Sequence, residues 1–262
     1  MEVGGFLTGR SRHHMSVMAD HWVENHRRDG WRRQAKAGGY RARSAFKLKQ
    51  IQARFELMRE GDVVLDVGCH PGGWTQVAVE TVGEQGVVVG IDLQATQPLE
   101  GATLLTGDVT DPYTQQRLLD VLAGREVNAI VSDISPDITG NWDIDQSVAL
   151  DLVAMVFDFG LPRLAPGGAL VTKLFQGIGV EELIGCVRPH FSKVRRFSPD
   201  ASRNSSSEVY LVCRNHTPWS APSATVGTRF EALISQRLDV PDDEVDATPS
   251  GFRVVRRGSG QD

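Results

Sequence analysis

Short apolar runs alternate with longer amphipathic segments through the middle of this 262-residue chain. The runs have the length and composition of parallel strands buried on both faces of a sheet, and they lie at 63–67, 87–92, 102–105, 129–133 and 169–174. The segments between and after them predict helices at about 74–82, 113–123, 145–164 and 180–190, and two last strands at 192–198 and 207–213. This alternation predicts an α/β fold with a doubly wound, mostly parallel, seven-stranded sheet flanked by helices.

The N-terminal part of the chain lacks this alternation. Residues 1–17 show no periodicity and are expected to form a disordered leader, while residues 18–37 predict a polar, basic helix that ends at a pair of glycines. A second, amphipathic helix is predicted to begin after Ser44, as its N-cap, and to end near Gly61. Residues 18–60 are therefore expected to be a helical segment in front of the α/β domain.

The C-terminal part also differs from the middle. We expect the α/β domain to span residues 61–215, followed by an acidic extension at 216–262. The extension predicts one helix at about 227–238 and one short strand at 252–255, which is too little for a core of its own. It can pack on the sheet edge, contact a partner or stay disordered, and the sequence leaves these alternatives open.

Charge is unevenly distributed. The net charge is −5, yet residues 27–54 hold ten Lys and Arg against one acid, which is +9 and leaves −14 for the rest. A second basic cluster comprises Arg188, Lys193, Arg195, Arg196 and Arg203. A solvated helix face is the simplest explanation of such a run, but its density in an acidic chain, with Trp22 and Trp31 nearby, favours a phosphate-binding surface.

Several classes of protein are disfavoured by composition. No run approaches the roughly 20 apolar residues of a membrane span, and the N-terminus lacks the apolar core of a signal peptide. Three cysteines without metal-ligand spacing are expected to be reduced thiols, and the spacing of His13, His14, His21 and His26 fits no zinc site, so no metal is predicted. A cytoplasmic protein, with a monomer favoured, is the resulting expectation.

A glycine-rich turn joins the first predicted strand to the next helix. It reads D-V-G-C-H-P-G-G-W at 66–74, and Gly68 and Gly72 would let the backbone approach a ligand closely. The spacing G-x-x-x-G-G differs from the G-x-G-x-x-G of dinucleotide sites, which disfavours a nicotinamide-dependent oxidoreductase. An ordinary tight turn is the alternative.

Acidic residues follow three further strands. Asp92 is placed to accept hydrogen bonds from a ribose diol, Asp108 to meet an adenine amino group, and Asp133 to face the same crevice. Each alone could cap a helix. Three at successive strand ends instead indicate S-adenosylmethionine, whose sulfonium cation also favours a carboxylate-lined site.

Several motifs in the same order resemble the FtsJ/RlmE family of ribose 2′-O-methyltransferases. Over about residues 30–213 the chain carries Y-R-A-R-S-A-F-K-L, D-V-G-C-H-P-G-G-W-T-Q, G-D-V-T, S-D-I-S-P-D-I-T-G, A-P-G-G, K-L-F-Q-G and P-D-A-S-R-N-S-S-S-E-V-Y. The resemblance implies a Rossmann-like S-adenosylmethionine-dependent methyltransferase with the catalytic tetrad Lys47, Asp133, Lys173 and Glu208. It also implies cofactor contacts at Gly72, Trp74, Asp92, Asp108 and Asp133. Cys69-His70 and Asp137 depart from the family pattern, but neither change removes a catalytic group.

The tetrad suggests a mechanism in which Lys173 removes the hydroxyl proton. An ordinary lysine, with a pKa of about 10.4, is protonated near neutrality, and lowering that pKa to about 7–8 requires burial or a second ammonium group. Lys47 could supply that charge, while Asp133 and Glu208 orient the pair but oppose the lowering of the pKa. Orientation of the hydroxyl is the alternative role for Lys173.

The resemblance implies RNA as the substrate. A uridine in the A-loop of 23S ribosomal RNA, in the large ribosomal subunit, is the leading acceptor, and the anticodon loop of tRNA is the alternative. A non-catalytic RNA-binding ribosome-assembly factor is the alternative from another class. RNA phosphates are expected to contact the basic side chains Arg32, Arg33, Lys36, Arg41, Arg43 and Arg203.

Overall fold

Within the described residues, seven strands form one mostly parallel sheet, as predicted from the alternation of runs. They are β1 Val63–Val67, β2 Val87–Asp92, β3 Ala102–Thr106, β4 Val127–Ser132, β5 Leu164–Phe175, β6 Phe191–Phe197 and β7 Glu208–His216. Their order across the sheet is β3-β2-β1-β4-β5-β7-β6. The computed structural model describes residues 30–31, 33–136, 139–202 and 208–238. The predicted leader at 1–17, residues 18–29 and the predicted strand at 252–255 lie outside this part.

Within the described residues, six α-helices of eight residues or more flank the sheet. They are α1 Ala45–Phe55, α2 Gly73–Val82, α3 Pro112–Leu122, α4 Trp142–Gly160, α5 Val180–Val187 and α6 Val226–Leu238. Residues 30–31 and 33–37 are also helical, which agrees with the end of the predicted basic helix. Within the described residues, no helix combines the length and the apolar character needed to cross a bilayer.

The order of the strands creates a crevice at one edge of the sheet. β1 pairs in parallel with both β2 and β4. The chain adds β2 and then β3 on one side of β1, and after β3 it crosses to the other side of β1 to form β4. In doubly wound sheets a ligand binds where the strand order reverses, beyond the carboxyl ends of the strands. The turn at 66–74 lies at this switch point.

The two faces of the sheet bury separate apolar clusters. On one face, α1 and α2 pack through residues such as Ile51, Trp74 and Ala78 onto the strands. On the other face, α3, α4, α5 and α6 cover a larger cluster that includes Phe157 and Phe230. Helix α6, which the sequence predicted within the C-terminal extension, therefore packs beside α4 and α5.

Helix α1 is shorter than predicted and is capped differently. It ends at Phe55, because Glu56 adopts a left-handed conformation with φ 49° and the Gln52 side chain accepts hydrogen bonds from the backbone of Leu57 and Met58. Ser44 was predicted as an N-cap, but it has helical torsion angles and its side chain makes no capping bond. Its carbonyl oxygen instead accepts a hydrogen bond from the Trp74 indole at 2.9 Å.

Strand β5 begins earlier than predicted. The sequence Pro166-Gly167-Gly168 was expected to separate a helix from a strand at 169, yet β5 runs from Leu164 through these residues. The pairing with β4 shifts between Val127, opposite Leu164, and Ala129, opposite Ala169, so the extra residues of β5 form an irregularity in the ladder. Helix α4 consequently ends at Gly160, before a short 3-10 turn at Leu161–Arg163.

We expect the Ile51→Ala substitution to lower the free energy of unfolding by about 2–5 kcal/mol, because it opens a cavity where α1 packs on the sheet. Ile51 is fully buried, whereas Ile144 on α4 is 52% exposed. The Ile144→Ala change is the matched control and should cost less than about 0.5 kcal/mol. Urea unfolding of both variants checks this, and equal losses would contradict the packing described for α1.

Candidate active site

Three of the four tetrad side chains come from neighbouring strands. Lys173 on β5 lies opposite Tyr210 on β7, and Phe175 lies opposite Glu208, because these two strands are antiparallel. Side chains two residues apart share a face of a strand, so Lys173 lies on the face that carries Val171 beneath α1. Asp133 directly follows β4, the strand next to β5. The sheet therefore brings the three side chains to one edge and one face.

The tetrad forms two ion pairs. Lys47, which α1 carries over this face, pairs with the Oε1 atom of Glu208. The Nζ atom of Lys173 lies 3.4 Å from Oδ1 of Asp133 and donates a hydrogen bond of 2.8 Å to the backbone oxygen of the same residue. Both lysine side chains are only 8% exposed. Two cations and two anions are thus buried together with no net charge.

Tyr210 connects the two pairs and was missed by the sequence analysis. Its hydroxyl lies 2.8 Å from Oδ1 of Asp133 and 3.2 Å from Oε1 of Glu208, and it can donate its single proton to one of them at a time. The sequence could have indicated this residue, because position 210 follows Glu208 by two on a predicted strand and its side chain therefore lies on the same face.

Burial and charge fix the protonation of this cluster. Burial alone would raise the pKa of Glu208, but the charge and hydrogen bond of Lys47, with Lys173 and Tyr210, outweigh it and hold the pKa below its ordinary value. Burial, followed by the charges of Asp133 and Glu208, raises the pKa of Tyr210 well above 10.0. Near neutral pH, Glu208 is therefore an anion and Tyr210 a hydrogen-bond donor.

The arrangement can hold a small polar group. A lysine ammonium has three N–H bonds, and Lys173 directs two of its contacts to Asp133. Within the described residues its third N–H bond has no polar partner, so it can meet a hydroxyl at the edge of the sheet. The two contacts with Asp133 hold Lys173 in place before a substrate arrives.

The glycine turn brings backbone close to the crevice. Gly68 and Gly72 have φ values of 79° and 106°, in the left-handed region that side chains other than glycine disfavour. A Cβ atom at Gly68 would lie 3.0 Å from Cβ of Ile134, and one at Gly72 would lie 2.8 Å from Nη1 of Arg41. Both positions therefore need glycine to keep this turn against its neighbours.

Two further predicted acids lie at their expected strand ends. Asp92 closes β2 and accepts hydrogen bonds from the backbone N–H groups of His70 and Gln94, at 2.9 and 2.7 Å. Asp108 follows β3 and uses Oδ1 to accept two bonds from Thr110. Within the described residues no bond to its Oδ2 is formed, so this oxygen can accept a bond from a ligand.

Trp74 was predicted to contact the cofactor, but its ring packs elsewhere. The indole is 2% exposed, stacks at 5.5 Å on Tyr210 and donates to the Ser44 carbonyl. The ring therefore fastens α1 to the sheet, and a cofactor contact by this residue remains a prediction.

The unusual Cys69-His70 pair is part of the turn itself. Burial raises the pKa of Cys69 to about 12, so this thiol is protonated and unreactive near neutral pH. The His70 backbone binds Asp92, and its ring nitrogen Nδ1 lies 3.4 Å from the Thr96 hydroxyl. The third departure from the family pattern, Asp137, lies outside the described residues.

A family model for FtsJ-like methyltransferases matches residues 40–216, which contain the whole site. The chain belongs to this family. A crystal structure described as a ribosomal RNA methyltransferase from Plasmodium falciparum superimposes with a TM-score of 0.62 and 26% identity, covering 68% of this chain and 98% of that one. The Rossmann-like methyltransferase fold predicted from the sequence is thereby confirmed.

Curated members of the family are similar over most of their length. A protein from Halorubrum lacusprofundi named ribosomal RNA large subunit methyltransferase E is 42% identical over 82% of this chain and 80% of its own. A protein of the same name from Alkalilimnicola ehrlichii is 41% identical over 74% of this chain and 92% of its own. The predicted membership of the FtsJ/RlmE family is therefore confirmed.

Most of the predicted RNA-binding side chains that the structure describes lie near the glycine turn. Arg33 and Lys36 are exposed on the helical stretch at 33–37, and Lys36 lines a surface cavity with Arg41 and Arg43. Arg32 and Arg203 lie outside the described residues, as do the four histidines weighed as metal ligands.

Arg41 makes contacts that the sequence did not indicate. Its guanidinium donates to the carbonyl oxygens of Gln97 and Pro98, each at 2.6 Å, and to that of Pro71 at 3.4 Å. It therefore ties the loop after β2 to the glycine turn, across the entrance to the crevice. An RNA contact by this residue remains a prediction beside this structural contact.

Asp66 lies beneath the crevice as a buried acid with an unusual proton affinity. Its Oδ2 accepts a 2.6 Å hydrogen bond from Thr75, while Oδ1 is buried and has no partner among the described residues. Burial, opposed by the Thr75 bond and reinforced by the charges of Asp133 and Asp92, raises its pKa from 3.8 to about 7.

The raised pKa of Asp66 predicts a stability that falls as pH rises. Between the unfolded value of 3.8 and the folded value of about 7, the native state keeps a proton that the unfolded state has lost. Stability should therefore fall across this window by up to about 4 kcal/mol, relative to an Asp66→Asn variant that cannot ionise. Urea unfolding of both proteins at pH 5 and pH 8 measures the part of this fall that lies above pH 5, about 2–3 kcal/mol.

The exposed Asp120→Asn change serves as the control and should leave the pH dependence unaltered. If wild type and Asp66→Asn lose stability in parallel with pH, Asp66 is already ionised in the fold and its assigned environment is incorrect.

Proposed function

We propose that this methyltransferase transfers a methyl group from S-adenosylmethionine to a ribose 2′-hydroxyl of RNA. The observation that carries the proposal is the buried cluster of Lys47, Asp133, Lys173 and Glu208 at the edge of the crevice. Two lysines and two carboxylates held together at the edge of the crevice are suited to positioning an alcohol and removing its proton. The names of the relatives support ribosomal RNA as the substrate class.

The crevice residues fit the proposed cofactor. S-adenosylmethionine supplies an electrophilic methyl group on a sulfonium cation. The Asp92 carboxylate would accept hydrogen bonds from its ribose, and Oδ2 of Asp108 would accept one from its adenine amino group. Gly68 and Gly72 would admit it against the backbone of the turn, and the carboxylate of Asp133 would favour its positive charge.

The tetrad residues divide the remaining work. We assign Lys173 as the general base, whose neutral amine form accepts the 2′-hydroxyl proton at Nζ while Asp133 holds the amine in place. Lys47 and Glu208 form a fixed ion pair that orients the ribose, and Tyr210 keeps the two carboxylates at a constant separation.

The proposed acceptor is a uridine in the A-loop of 23S ribosomal RNA within the large subunit. This step rests on the resemblance to enzymes that carry the large-subunit name. Ribose methylation of a tRNA anticodon loop would require the same tetrad, and a ribosome-assembly factor would require only the basic surface. Both are outcomes of the experiment below.

The first experiment measures tritium transfer from labelled S-adenosylmethionine to RNA. Large ribosomal subunits and tRNA from a strain lacking this gene are incubated with wild type and with Lys173→Ala. We expect alkali-resistant label in the large-subunit RNA with wild type, and a loss of at least about 10²-fold with the variant. Cofactor binding by calorimetry, together with the unfolding midpoint, verifies that the variant is folded.

Label in tRNA alone would support the proposed methyl-transfer reaction but would show that tRNA is the substrate. An absence of transfer to either RNA, with cofactor bound and RNA bound, would favour the assembly-factor alternative. Label that is sensitive to alkali would place the methyl group elsewhere than on the ribose.

The role of Lys173 is tested by the Lys173→Arg variant. Arginine keeps the positive charge and donates hydrogen bonds but cannot give up its proton, so it can orient a hydroxyl and cannot act as a base. We expect activity to fall by about 10²–10⁴-fold at every pH between 6 and 9, measured as single-turnover rates. Activity within a few-fold of wild type would show that Lys173 orients the hydroxyl instead.

A further inference from the structure

A second basic surface lies on the same face of the sheet as the tetrad. A shallow groove of about 260 Å³ is lined by four cationic side chains and two apolar ones: Arg54, Lys193, Arg195, Arg214, Phe55 and Val212. We refer to this surface as the β6–β7 groove. Only Lys193 and Arg195 belong to the second cluster noted in the sequence, and Arg54 and Arg214 join them only through the fold.

Strand pairing assembles the groove. β6 and β7 are antiparallel, with Lys193 opposite Arg214 and Arg195 opposite Val212. Because residues two apart share a face, Lys193 and Arg195 project together from β6, on the side where Phe197 packs against Phe55 of α1. The last turn of α1 adds Arg54 from above.

The cations of the groove are not neutralised by the protein. Elsewhere, Arg196 pairs with Glu181 and Arg237 with Glu182. Within the described part of the chain, none of the four groove cations has a carboxylate within ion-pair distance. Lys193, Arg195 and Arg54 are exposed, and Arg214 is half-buried. Four adjacent positive charges in a chain of net charge −5 repel one another and would be stabilised by a polyanion.

The groove is connected to the tetrad along two elements. On β7, Arg214 follows Tyr210 by four residues, which is about 13 Å along a strand. On α1, Arg54 follows Lys47 by seven residues, which is about 10.5 Å along a helix. The two elements thus extend from the catalytic cluster in the same direction, with the ring of Phe55 between the cluster and the cations.

We propose that the β6–β7 groove binds the phosphodiester backbone of the RNA strand that flanks the methylated ribose. The proposal rests on the proposed function and adds to it a second contact, beyond the predicted RNA contacts at Arg32, Arg33, Lys36, Arg41, Arg43 and Arg203. Phosphate contacts fix the register of a nucleic acid without reading its sequence. The groove therefore sets which ribose of the strand reaches Lys173, by holding the backbone at a fixed distance from it.

The test compares two double variants with equal changes of charge. Lys193→Gln/Arg195→Gln removes two cations of the groove, and the control Arg59→Gln/Arg125→Gln removes two exposed cations from the loops before β1 and β4. Binding of a large-subunit RNA fragment is measured by fluorescence anisotropy across a salt titration. Methyl transfer is measured at increasing RNA concentration with saturating cofactor.

We expect the groove variant to weaken RNA binding about tenfold or more at low salt and to reduce the slope of log K against log salt by about 1.4, for two lost contacts to single-stranded RNA. The KM for RNA should rise by a similar factor, while kcat and cofactor affinity remain within twofold of wild type. Adding Arg54→Gln should reduce the slope again. The control should leave the slope and KM close to wild type.

Equal slopes and equal KM values for the groove and control variants would overturn the proposal. A fall in kcat without a change in the salt slope would do the same, because it would indicate damage to the tetrad. A wild type that binds RNA but transfers no methyl group would refute the proposed function instead, and the salt titration would still decide whether the groove binds RNA.

Discussion

The antiparallel pairing of β7 with β5 is the constraint on which the site depends. All other strand pairs from β3 to β5 are parallel, and they bring only their carboxyl ends to the crevice. Because β7 runs the other way, its first residue, Glu208, reaches that same edge opposite Phe175. A parallel last strand would place its beginning at the far edge of the sheet. The reversal therefore lets Glu208, near the end of the domain, pair with Lys47, which precedes the domain in the chain.

Removing four charged groups from water at one corner of the sheet costs free energy unless each group is paired. This requirement explains why each tetrad side chain lies next to one of opposite charge. Each lysine contacts a carboxylate, and the Tyr210 hydroxyl lies between the two carboxylates. Removal of one partner would leave an uncompensated buried charge. The Trp74 ring, packed on Tyr210 and bonded to the residue before α1, holds the helix that delivers Lys47. Packing and charge balance are thus parts of one arrangement.

The sequence predicts the sheet well because its signals are local: buried parallel strands are continuous apolar runs, and glycine turns end them. It predicts the end of α1 poorly, because a hydrogen bond to the Gln52 side chain decides where the helix stops. It predicts the start of β5 poorly, because that start depends on the irregular pairing of β5 with β4. The positions of the tetrad residues follow from motif resemblance, but their pairing does not. Tyr210, Asp66 and Arg41 needed the structure, since their partners lie 77, 9 and 56 residues away along the chain.

The two groups of cations on the α1 face are used in opposite ways. Lys47 and Lys173 are buried and matched by protein carboxylates, which makes their positions independent of salt and of substrate. Within the described residues, the cations of the β6–β7 groove have no carboxylate in ion-pair distance, so they can attract anions from solution, and this attraction weakens as salt screens it. Under the proposed function, RNA binding by this surface and proton transfer at the tetrad would depend on different residues. The affinity for a polyanion can then change through surface residues without disturbing the tetrad.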